Sequence, residues 1–473
     1  MKGQVEVMIK ILRGDIKDSS IELPEGFDTN ISNCGKISLT RDFFSSIPLF
    51  YFVDKNELII SDSYLELTGF LRTKEVALFP DSEYIKLYIT FQTPNTSRTL
   101  LKKIKRLRPG ERIFFDEQGN LKSEFVERIS NAHHRYTSNN LRSHIDAIVE
   151  KLNPSDTTFH ISSGLDSSIL AIRAARVFPE RSIHLATCLT RGDGCSNELD
   201  NSKRLAEDIG ADLVIYDLTN VDIFKEGESL LKNCLGFPVA HPSHLVEYLL
   251  NQRIVGSGAS TIVNGKGPDD CLAGYSWHLD KFQKAMVHKN RLTVTADADL
   301  IELTGSSIDL VAEDDIWKEI ENPLSLNKRL EYDARSVTDA WNIIHSSIAK
   351  RLEVQIVSPF MDPVIRSGLF SLPDSQKING LRQKYFLRET FKNDYPDYIL
   401  DFSKHGFRLD LQPYFLDYDS EELFLKITCN LPWVDRYFNL NKIKMMIDST
   451  IHGKKNYGWQ LWSIFCVVNA INS

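Results

Sequence analysis

The spacing of hydrophobic residues changes part-way along the chain. Between residues 36 and 62, short apolar runs alternate with turn residues, and residues 111–126 repeat this pattern around a Gln-Gly-Asn turn. Apolar runs of this length between turn residues are typical of β-strands joined in hairpins. We therefore predict a mostly β unit over residues 1–127.

Further along, the pattern predicts strands that alternate with helices. Residues 128–138 are polar and lack periodicity, which indicates a linker. The predicted order after it is a helix at 138–152, a strand at 157–161, a helix after Asp166, a strand at 183–189, a helix at 198–209 and a strand at 212–217. Such alternation is typical of a parallel, doubly wound sheet. The remainder is mainly helical, most clearly at 333–351, so we predict an α/β protein whose second domain spans residues 138–473.

The composition narrows the function classes. The chain has 473 residues and a net charge of −8, which argues against a protein that coats nucleic acid. Its seven cysteines are scattered and form no C-x-x-C pair, a usage typical of reduced thiols in the cytosol. No signal peptide is recognisable, and no apolar stretch is long enough to span a bilayer. We expect a cytoplasmic protein without nucleic-acid or membrane partners, whose apolar tract at 459–471 is a buried terminal helix.

One loop has the features of a phosphate site. In residues 159–170 a buried strand leads through the sequence SSGLDSS (162–168) into a helix. Small residues at a helix amino terminus present backbone N–H groups and hydroxyls to an anion, although a serine-capped helix without a ligand has the same pattern. No Gly-Lys-Ser/Thr ends the loop, so it is not a Walker loop. Asp166 would repel a phosphate group unless Mg²⁺ bridged the two.

A second segment at a strand end carries two acids. Residues 261–275 read TIVNGKGPDDCLAGY, in which the GKG triplet at 265–267 precedes Asp269 and Asp270. Ligands of open α/β sheets bind beyond the carboxyl ends of the strands, where acids from two strands can meet. Asp166 and Asp269 are therefore candidates to hold Mg²⁺ against ATP. Taken alone, the second segment would be interpreted first as a solvated turn.

These segments resemble the asparagine synthetase and β-lactam synthetase family of PP-loop ATP pyrophosphatases. Residues 162–167 resemble the family's S-G-G-x-D-S loop, and residues 265–270 its G-x-G-x-D-E segment. Three later stretches extend the likeness: RLEVQIVSPFMDP at 351–363, KYFLR at 384–388 and SKHGF at 403–407. Upstream, TRDFFSSIPLFYF and LRPGERIFF resemble parts of the family's amino-terminal domain. The resemblance implies a truncated glutaminase-like, Ntn-type first domain, followed by a PP-loop synthetase domain with a helical extension.

The resemblance also implies an activity and a set of site residues. The implied reaction uses ATP and Mg²⁺ to convert a carboxylate into an acyl-adenylate, which an amine attacks to form an amide. Asp166 and Asp269 would hold the metal ion. The implied catalytic residues are Lys404, Lys266 and Glu353, the last by orienting the site through hydrogen bonds. The implied ATP-binding residues are Ser162, Ser163, Gly164, Asp166, Ser167, Ser168, Gly265, Gly267 and Lys384.

Two further pairs have more than one interpretation. Lys384 and Arg388 are four residues apart on one predicted helical face, where they contact phosphate or face solvent. His241 and His244 lie where relatives line the substrate pocket, and are otherwise structural residues.

Departures from the family pattern bear on the substrate. Lys2 follows Met1 where glutamine-hydrolysing members have a catalytic cysteine, so we expect no glutaminase activity. Ser163 replaces a glycine at a position that can require a positive φ angle. Lys266 stands where relatives have an acid, a Tyr or a His, and a lysine is no ordinary base there unless burial lowers its pKa. It can instead hold a substrate carboxylate or stabilise an adenylate.

We therefore expect an ATP-dependent amide synthetase that joins a small-molecule or peptide carboxylate to an amine of the same substrate, as lasso-peptide cyclases and β-lactam synthetases do. A precursor peptide and its processing protease are candidate partners. A ligase that uses free ammonia and a non-catalytic homologue remain alternatives, and the joint retention of Asp166, Asp269 and Lys404 argues against the second. The glutaminase-like segment and the PFMD motif disfavour another PP-loop enzyme, such as an NAD synthetase or a tRNA-modifying ligase.

Overall fold

The computed structural model describes the chain in segments separated by short gaps. These segments are residues 8–11, 27–31, 37–54, 57–115, 120–126, 136–192, 195–238, 241–279, 295–307, 326–400 and 409–471. Most of the predicted linker at 128–138 lies outside the described residues.

The first part of the chain is rich in β-structure, as predicted. Its strands are β1 (Met8–Ile11), β2 (Phe27–Ile31), β3 (Ile37–Arg41), β4 (Phe50–Asp54), β5 (Glu57–Ser61), β6 (Ile104–Arg106), β7 (Glu111–Phe115) and β8 (Leu121–Phe125). They form two four-stranded sheets, in the orders β1-β5-β4-β6 and β2-β3-β7-β8. The two predicted hairpins are present, because β4 pairs antiparallel with β5 and β7 with β8.

Two helices of this part, α1 (Tyr64–Thr73) and α2 (Ser82–Phe91), are absent from the sequence-based prediction. The side chain of Ser63 caps α1 and that of Asp81 caps α2, each by accepting a backbone N–H bond from the first turn. Helices of ten residues are marginal by themselves and depend on packing for stability. The local pattern therefore gives only a weak signal for them.

The second part is built on a five-stranded parallel sheet. Its strands are β9 (Thr157–His160), β10 (His184–Leu189), β11 (Asp212–Asp217), β12 (Thr261–Val263) and β13 (Gln355–Val357). Their order is β11-β10-β9-β12-β13, and all pairs are parallel. The chain moves outward from β9 to β11 and then returns to place β12 on the other side of β9. Ligands of such sheets bind where the order reverses, beyond the carboxyl ends of β9 and β12.

Helices surround this sheet and continue into a helical extension, which confirms the predicted α/β class. They are α3 (Ser138–Val149), α4 (Leu165–Val177), α5 (Cys195–Ile209), α6 (Ile223–Leu230), α7 (Ser243–Gly256), α8 (Pro268–Cys271), α9 (Asp297–Thr304), α10 (Leu326–Asp333), α11 (Asp339–Leu352), α12 (Pro363–Ser371), α13 (Asp374–Lys377), α14 (Tyr385–Phe391), α15 (Asp397–Leu400), α16 (Gln412–Phe415), α17 (Ser420–Thr428), α18 (Leu440–Ile451) and α19 (Gly458–Ile471). A π-helical segment, Ala334–Thr338, joins α10 to α11. A short antiparallel pair, β14 (Ile378–Asn379) and β15 (Arg382–Gln383), precedes α14.

Successive residues of the parallel strands pack into different cores. Phe159 of β9 packs with residues of α3 and α4. Ala186 and Ile262, from β10 and β12, pack instead with Leu250 of α7. Because successive side chains of a strand point to opposite faces, His160 faces the α7 side of the sheet. Helix α11 also packs against α7.

The apolar tract near the carboxyl terminus forms the buried helix α19, as predicted. Its residues Trp462, Phe465 and Val467 are at most 2% exposed. In the segments that the structure describes, no helix combines the length and hydrophobicity needed to cross a membrane.

Candidate active site

The serine-rich loop folds back on itself at the amino end of α4. Strand β9 ends at His160, and Gly164 is the N-cap residue of α4. The hydroxyl of Ser162 lies 3.1 Å from that of Ser167, which also donates to the carbonyl of Gly164. These bonds hold a compact loop directly before the helix. The N–H groups and the dipole of the first helical turn favour an anion at this place.

Two buried serines supply further donors. Among the described residues, the hydroxyls of Ser163 and Ser168 have no hydrogen-bond partner, although both side chains are fully buried. Ser163 has a φ of +48°, so it keeps the left-handed conformation for which the family uses glycine. Buried hydroxyls almost always have a partner. Phosphate oxygens accept bonds from hydroxyls, so the loop fits the pyrophosphate part of a nucleotide.

Two glycines allow the GKG segment to approach its neighbours closely. A Cβ atom added at Gly265 would lie 2.7 Å from the backbone nitrogen of Ser167, and one at Gly267 would lie 2.7 Å from the carbonyl oxygen of Phe360. Gly267 also has a φ of +124°. The segments meet because β9 and β12 are neighbours in the sheet. A side chain at Gly265 would push the GKG segment away from the serine-rich loop, and one at Gly267 would push it away from Phe360, which follows β13.

A buried lysine brings Asp166 and Asp269 together. Nζ of Lys384 lies 2.5 Å from Oδ2 of Asp166 and 2.6 Å from Oδ1 of Asp269. Burial disfavours the charge of Lys384, but the two carboxylates outweigh this effect and raise its pKa. Lys384 is the N-cap residue of α14 and is 6% exposed. Its side chain therefore belongs to the site and does not lie on a solvated helical face.

The same pair of carboxylates fits a divalent cation. Their oxygens already converge on one cationic nitrogen. Mg²⁺ is commonly held by one or two carboxylates, with substrate phosphates and water completing its shell. Within the described segments, no three His, Cys, Asp or Glu side chains are grouped to hold a metal ion. The two carboxylates therefore suit a metal ion whose other ligands are phosphate oxygens and water. They do not suit a site in which protein groups supply every ligand.

Gly274 makes room for this arrangement, and the sequence-based prediction does not include it. A Cβ atom at Gly274 would overlap Oδ1 of Asp269 and Cε of Lys384. The amide of Gln383 donates to the carbonyls on both sides of Gly274, at 2.6 and 2.5 Å, and so holds this turn beside Lys384. A glycine four residues after two acids is the local signal, but it is shared with ordinary turns.

Lys266 lies at the edge of the site. Its Nζ donates to Oδ1 of Asn342 at 3.0 Å and lies 5.9 Å from the centre of the Trp341 ring. Burial lowers the pKa of Lys266 to about 7, although the carboxylates of Asp270 and Glu247 oppose this shift. The condition under which a lysine can act as a base near neutral pH is therefore met.

The two histidines near the start of α7 contact aromatic side chains. The rings of His244 and Trp341 lie 3.9 Å apart, and those of His241 and Trp459 lie 4.4 Å apart, measured between centroids. Burial, with help from His241 and Lys266, lowers the pKa of His244 well below its ordinary value. His244 thus belongs to the same group of side chains as Lys266.

Three other predicted residues have different outcomes. Glu353 is exposed, has a φ of +53° at the carboxyl end of α11 and precedes β13, so it lies at the amino edge of the sheet, opposite the site. This position does not favour the predicted role of Glu353 in orienting the site, which stays a prediction. Arg388 donates to the carbonyls of Gln383 and Leu400, which braces the chain around α14. Lys404 lies outside the described residues.

Comparison with known proteins identifies both parts of the chain. Residues 141–472 match the asparagine synthase domain, and residues 30–126 match the glutamine amidotransferase domain. The chain belongs to the asparagine synthase family. Membership places it among ATP-dependent amide ligases of the PP-loop type, in agreement with the resemblance seen in its motifs.

The relatives are distant. Asparagine synthetase 1 of Bacillus subtilis (strain 168), a glutamine-hydrolyzing enzyme, is 19% identical over 485 residues, which cover 91% of this chain and 75% of that protein. The NH3-dependent NAD synthetase of Campylobacter jejuni is 15% identical over 29% of this chain and 59% of its own, with a TM-score of 0.21. A U34-tRNA thiolase of Methanococcus maripaludis is 11% identical over 67% of this chain and 81% of its own, with a TM-score of 0.27.

Proposed function

We propose that this asparagine synthase family member is an AMP-forming amide synthetase, which activates a carboxylate with ATP and joins it to an amine of the same substrate. The observation that carries the proposal is the convergence of Asp166 and Asp269 on Lys384. It lies next to the serine-rich loop at 162–168, where the strand order of the sheet reverses. A reaction that expels pyrophosphate needs this combination, because the leaving group carries several negative charges.

The loop and the two acids have separate tasks. The N–H groups of the first turn of α4 and the hydroxyls of Ser163 and Ser168 would bind the β- and γ-phosphates of ATP. Asp166 and Asp269 would hold Mg²⁺, which when bound neutralises phosphate charge and makes the α-phosphorus more electrophilic. Lys384 fixes both carboxylates in place and balances part of their charge.

The carboxylate end of the substrate belongs beside Lys266. An oxygen of the carboxylate attacks the α-phosphorus, the bond to pyrophosphate breaks, and an acyl-adenylate forms. In its charged form, Lys266 attracts the carboxylate and stabilises the adenylate. The family resemblance assigns Lys404 the stabilisation of negative charge as the amine adds to the acyl carbon.

The origin of the amine separates two candidate functions. In residues 30–126, which match the glutamine amidotransferase domain, the sequence has a single cysteine, Cys34, at an internal position. Glutamine-hydrolysing members use a cysteine directly after the initiator Met, so this part of the chain favours an amine that arrives with the substrate. The relative named as an asparagine synthetase favours the second candidate, a ligase that uses free ammonia.

Exchange of labelled pyrophosphate into ATP tests the proposal. Purified protein with Mg²⁺ is offered panels of amino acids, β-amino acids and peptides, and each acid that supports exchange is then assayed for AMP with and without added ammonium. We expect exchange that depends on one class of carboxylate, and AMP formation that needs no added ammonium. AMP formation only with ammonium would favour the second candidate.

Two variants complete this experiment. Asp166→Asn should abolish exchange, because the carboxamide cannot neutralise a cation. Asp374→Asn, at an exposed position on α13, is the matched control and should leave exchange unchanged. Wild-type protein that supports no exchange with any acid, and forms no AMP, would contradict the proposed function.

A further inference from the structure

Five polar side chains are buried together on the α7 side of the sheet, apart from the residues assigned to ATP. This group, the imidazole cluster, consists of His160 at the end of β9, His244, Glu247 and Asn251 on α7, and His345 on α11. The three residues of α7 are spaced i, i+3 and i+7, so they form one stripe along the helix. Nε2 of His345 lies 2.6 Å from Oε1 of Glu247. Both residues are close enough to His160 to affect its pKa.

The imidazole cluster has polar atoms that no protein group satisfies. Among the described residues, Nε2 of His244 has no hydrogen-bond partner, and Nε2 of His345 has none of normal geometry, although Oε1 of Glu247 lies 2.6 Å away. His160 and Asn251 interact with each other. His244 is 1% exposed, and the side chain of His345 is 12% exposed. Buried polar atoms are normally bonded, and each exception needs an explanation. A ligand with several polar hydrogens would supply the missing partners.

The charges of the cluster favour a cationic ligand. Burial lowers the pKa values of His160, His244 and His345 below the ordinary value and so favours the neutral form of each imidazole. Burial disfavours the charge of Glu247, but His345, His160 and Lys266 outweigh this effect and lower its pKa. The cluster therefore combines one carboxylate with neutral acceptor nitrogens. An ammonium group matches this combination.

The cluster lies close to Lys266, beside which we place the carboxylate of the substrate. The side chains of Glu247 and His345 are each 12% exposed. The ring of Trp341, one turn before His345 on α11, lies 5.7 Å from the His345 ring and also contacts Lys266. Asn342, the neighbour of Trp341, binds Nζ of Lys266. A substrate whose carboxyl end lies beside Lys266 can thus direct an amine along the same wall to Glu247.

We propose that Glu247 and His345 form the amine subsite of this enzyme, and that His345 takes the proton that the attacking amine loses. The proposal rests on the proposed function for the identity of the reaction, and it narrows the substrate to a molecule with a primary or secondary amine. Oε1 of Glu247, 2.6 Å from Nε2 of His345, favours the tautomer with the proton on Nε2, which leaves Nδ1 as the proton acceptor. Glu247 also stabilises the imidazolium that results.

The proton and electron balance is simple. The ammonium group of the substrate gives one proton to Nδ1 of His345, and the freed lone pair of the nitrogen forms the C–N bond to the acyl carbon. The C–O bond to AMP breaks, and AMP leaves with the bonding electrons. The nitrogen releases its second surplus proton to solvent as the amide forms, and His345 returns its proton to solvent before the next cycle.

A binding experiment with methylammonium tests the subsite without any reaction. In the full-length protein, histidines labelled with ¹³C at Cε1 are followed by NMR, and His345→Gln identifies the His345 signal. We expect methylammonium to shift this signal in a saturable manner. In Glu247→Gln, which keeps the shape of the side chain, binding should be weaker by about tenfold or more. The exposed His184 and His452 are internal controls whose signals should not move.

Two further variants keep this test decisive. Glu247→Asp retains the charge and should retain saturable binding, which a purely structural role of Glu247 would not predict. If Glu247→Gln does not fold, as judged by thermal melting, His345→Asn replaces it and the signal of His160 is followed. An unmoved His345 signal in wild-type protein, or equal binding by wild type and Glu247→Gln, would overturn the proposal.

A kinetic experiment tests the proton transfer. With an acid that supports exchange in wild type, Glu247→Gln and His345→Gln should slow amide formation by about 100-fold more than they slow pyrophosphate exchange at saturating acid, because about 100-fold is the usual range for loss of a general base. Equal loss of both half-reactions, or no loss of amide formation, would overturn this role. Wild-type protein without exchange would contradict the proposed function alone, and the methylammonium titration would still decide the subsite.

Discussion

Replacement of Lys384 by methionine tests whether Asp166 and Asp269 form a site for a divalent cation. Their oxygens lie within about 5 Å of each other, because both contact the same nitrogen at 2.5 and 2.6 Å. Without that nitrogen, their repulsion is about 3 kcal/mol at an effective dielectric constant of ~20. Loss of one partner from a buried ion pair costs a similar amount, about 3 to 5 kcal/mol. We therefore expect Lys384→Met to be less stable than wild type by about 3 kcal/mol in EDTA.

Mg²⁺ should restore much of this loss, because a metal ion can take the place of the ammonium group between the carboxylates. Differential scanning fluorimetry measures the effect. For a unit as long as residues 141–472, 3 kcal/mol corresponds to a decrease of about 4 °C in melting temperature. We expect that decrease in EDTA and a recovery in excess Mg²⁺ that exceeds the response of wild type.

Lys442→Met is the matched control. Lys442 also lies between two carboxylates, 2.8 Å from Asp299 and 2.5 Å from Glu302, but Asp299 keeps a second partner in Lys455, and Glu302 is exposed. Mg²⁺ should not restore this variant specifically. Equal responses to Mg²⁺ in the two variants, or a Lys384→Met protein as stable in EDTA as wild type, would refute the reasoning.

Three other substitutions have defined outcomes. Ser163→Gly should raise the free energy of unfolding in urea by about 0.5 to 1 kcal/mol, because a non-glycine residue at φ +48° is strained; an unchanged value would mean that the loop relaxes this strain. Gly274→Ala should lower the melting temperature and abolish exchange, since its Cβ overlaps the paired charges, whereas Gly256→Ala, with no atom within 4 Å, should do neither. Exchange by wild type should decline as pH rises through about 7, where Lys266 loses its proton, and Lys266→Arg should remove that decline. Identical pH profiles would exclude a role for the charge of Lys266.

The parts predicted from the sequence are those with local signals. The alternation of strands and helices in the sequence predicts the parallel sheet. In the structure, β12 pairs with β9, so the loop at 162–168 and the GKG segment meet. The environment of Lys384 is not local, because its partner Asp166 is 218 residues away in sequence. The sequence around Lys384 is compatible with a solvated helical face, but the side chain is buried and contacts two acids.

The imidazole cluster shows a signal that sequence reasoning can use. His244, Glu247 and Asn251 form a polar stripe among the buried apolar residues of α7. Such a stripe inside a protein needs partners, so it marks a site even when the partners on other elements are unknown. Glu353 shows the opposite case, where likeness to a motif gives no information on which edge of the sheet the side chain occupies.

Two arginines of the first part of the chain bind one carboxylate at the start of α11, close to the site. Asp339, the first residue of α11, is fully buried and accepts bonds from Arg41 at 2.6 Å and from Arg106 at 3.3 Å. Both arginines end strands of the amino-terminal sheets, and Trp341 and His345 follow within the next two turns of α11. Residues that bind a substrate must be held by rigid neighbours. The amidotransferase-like part therefore has a structural task, to hold the start of α11, that requires no hydrolysis of glutamine.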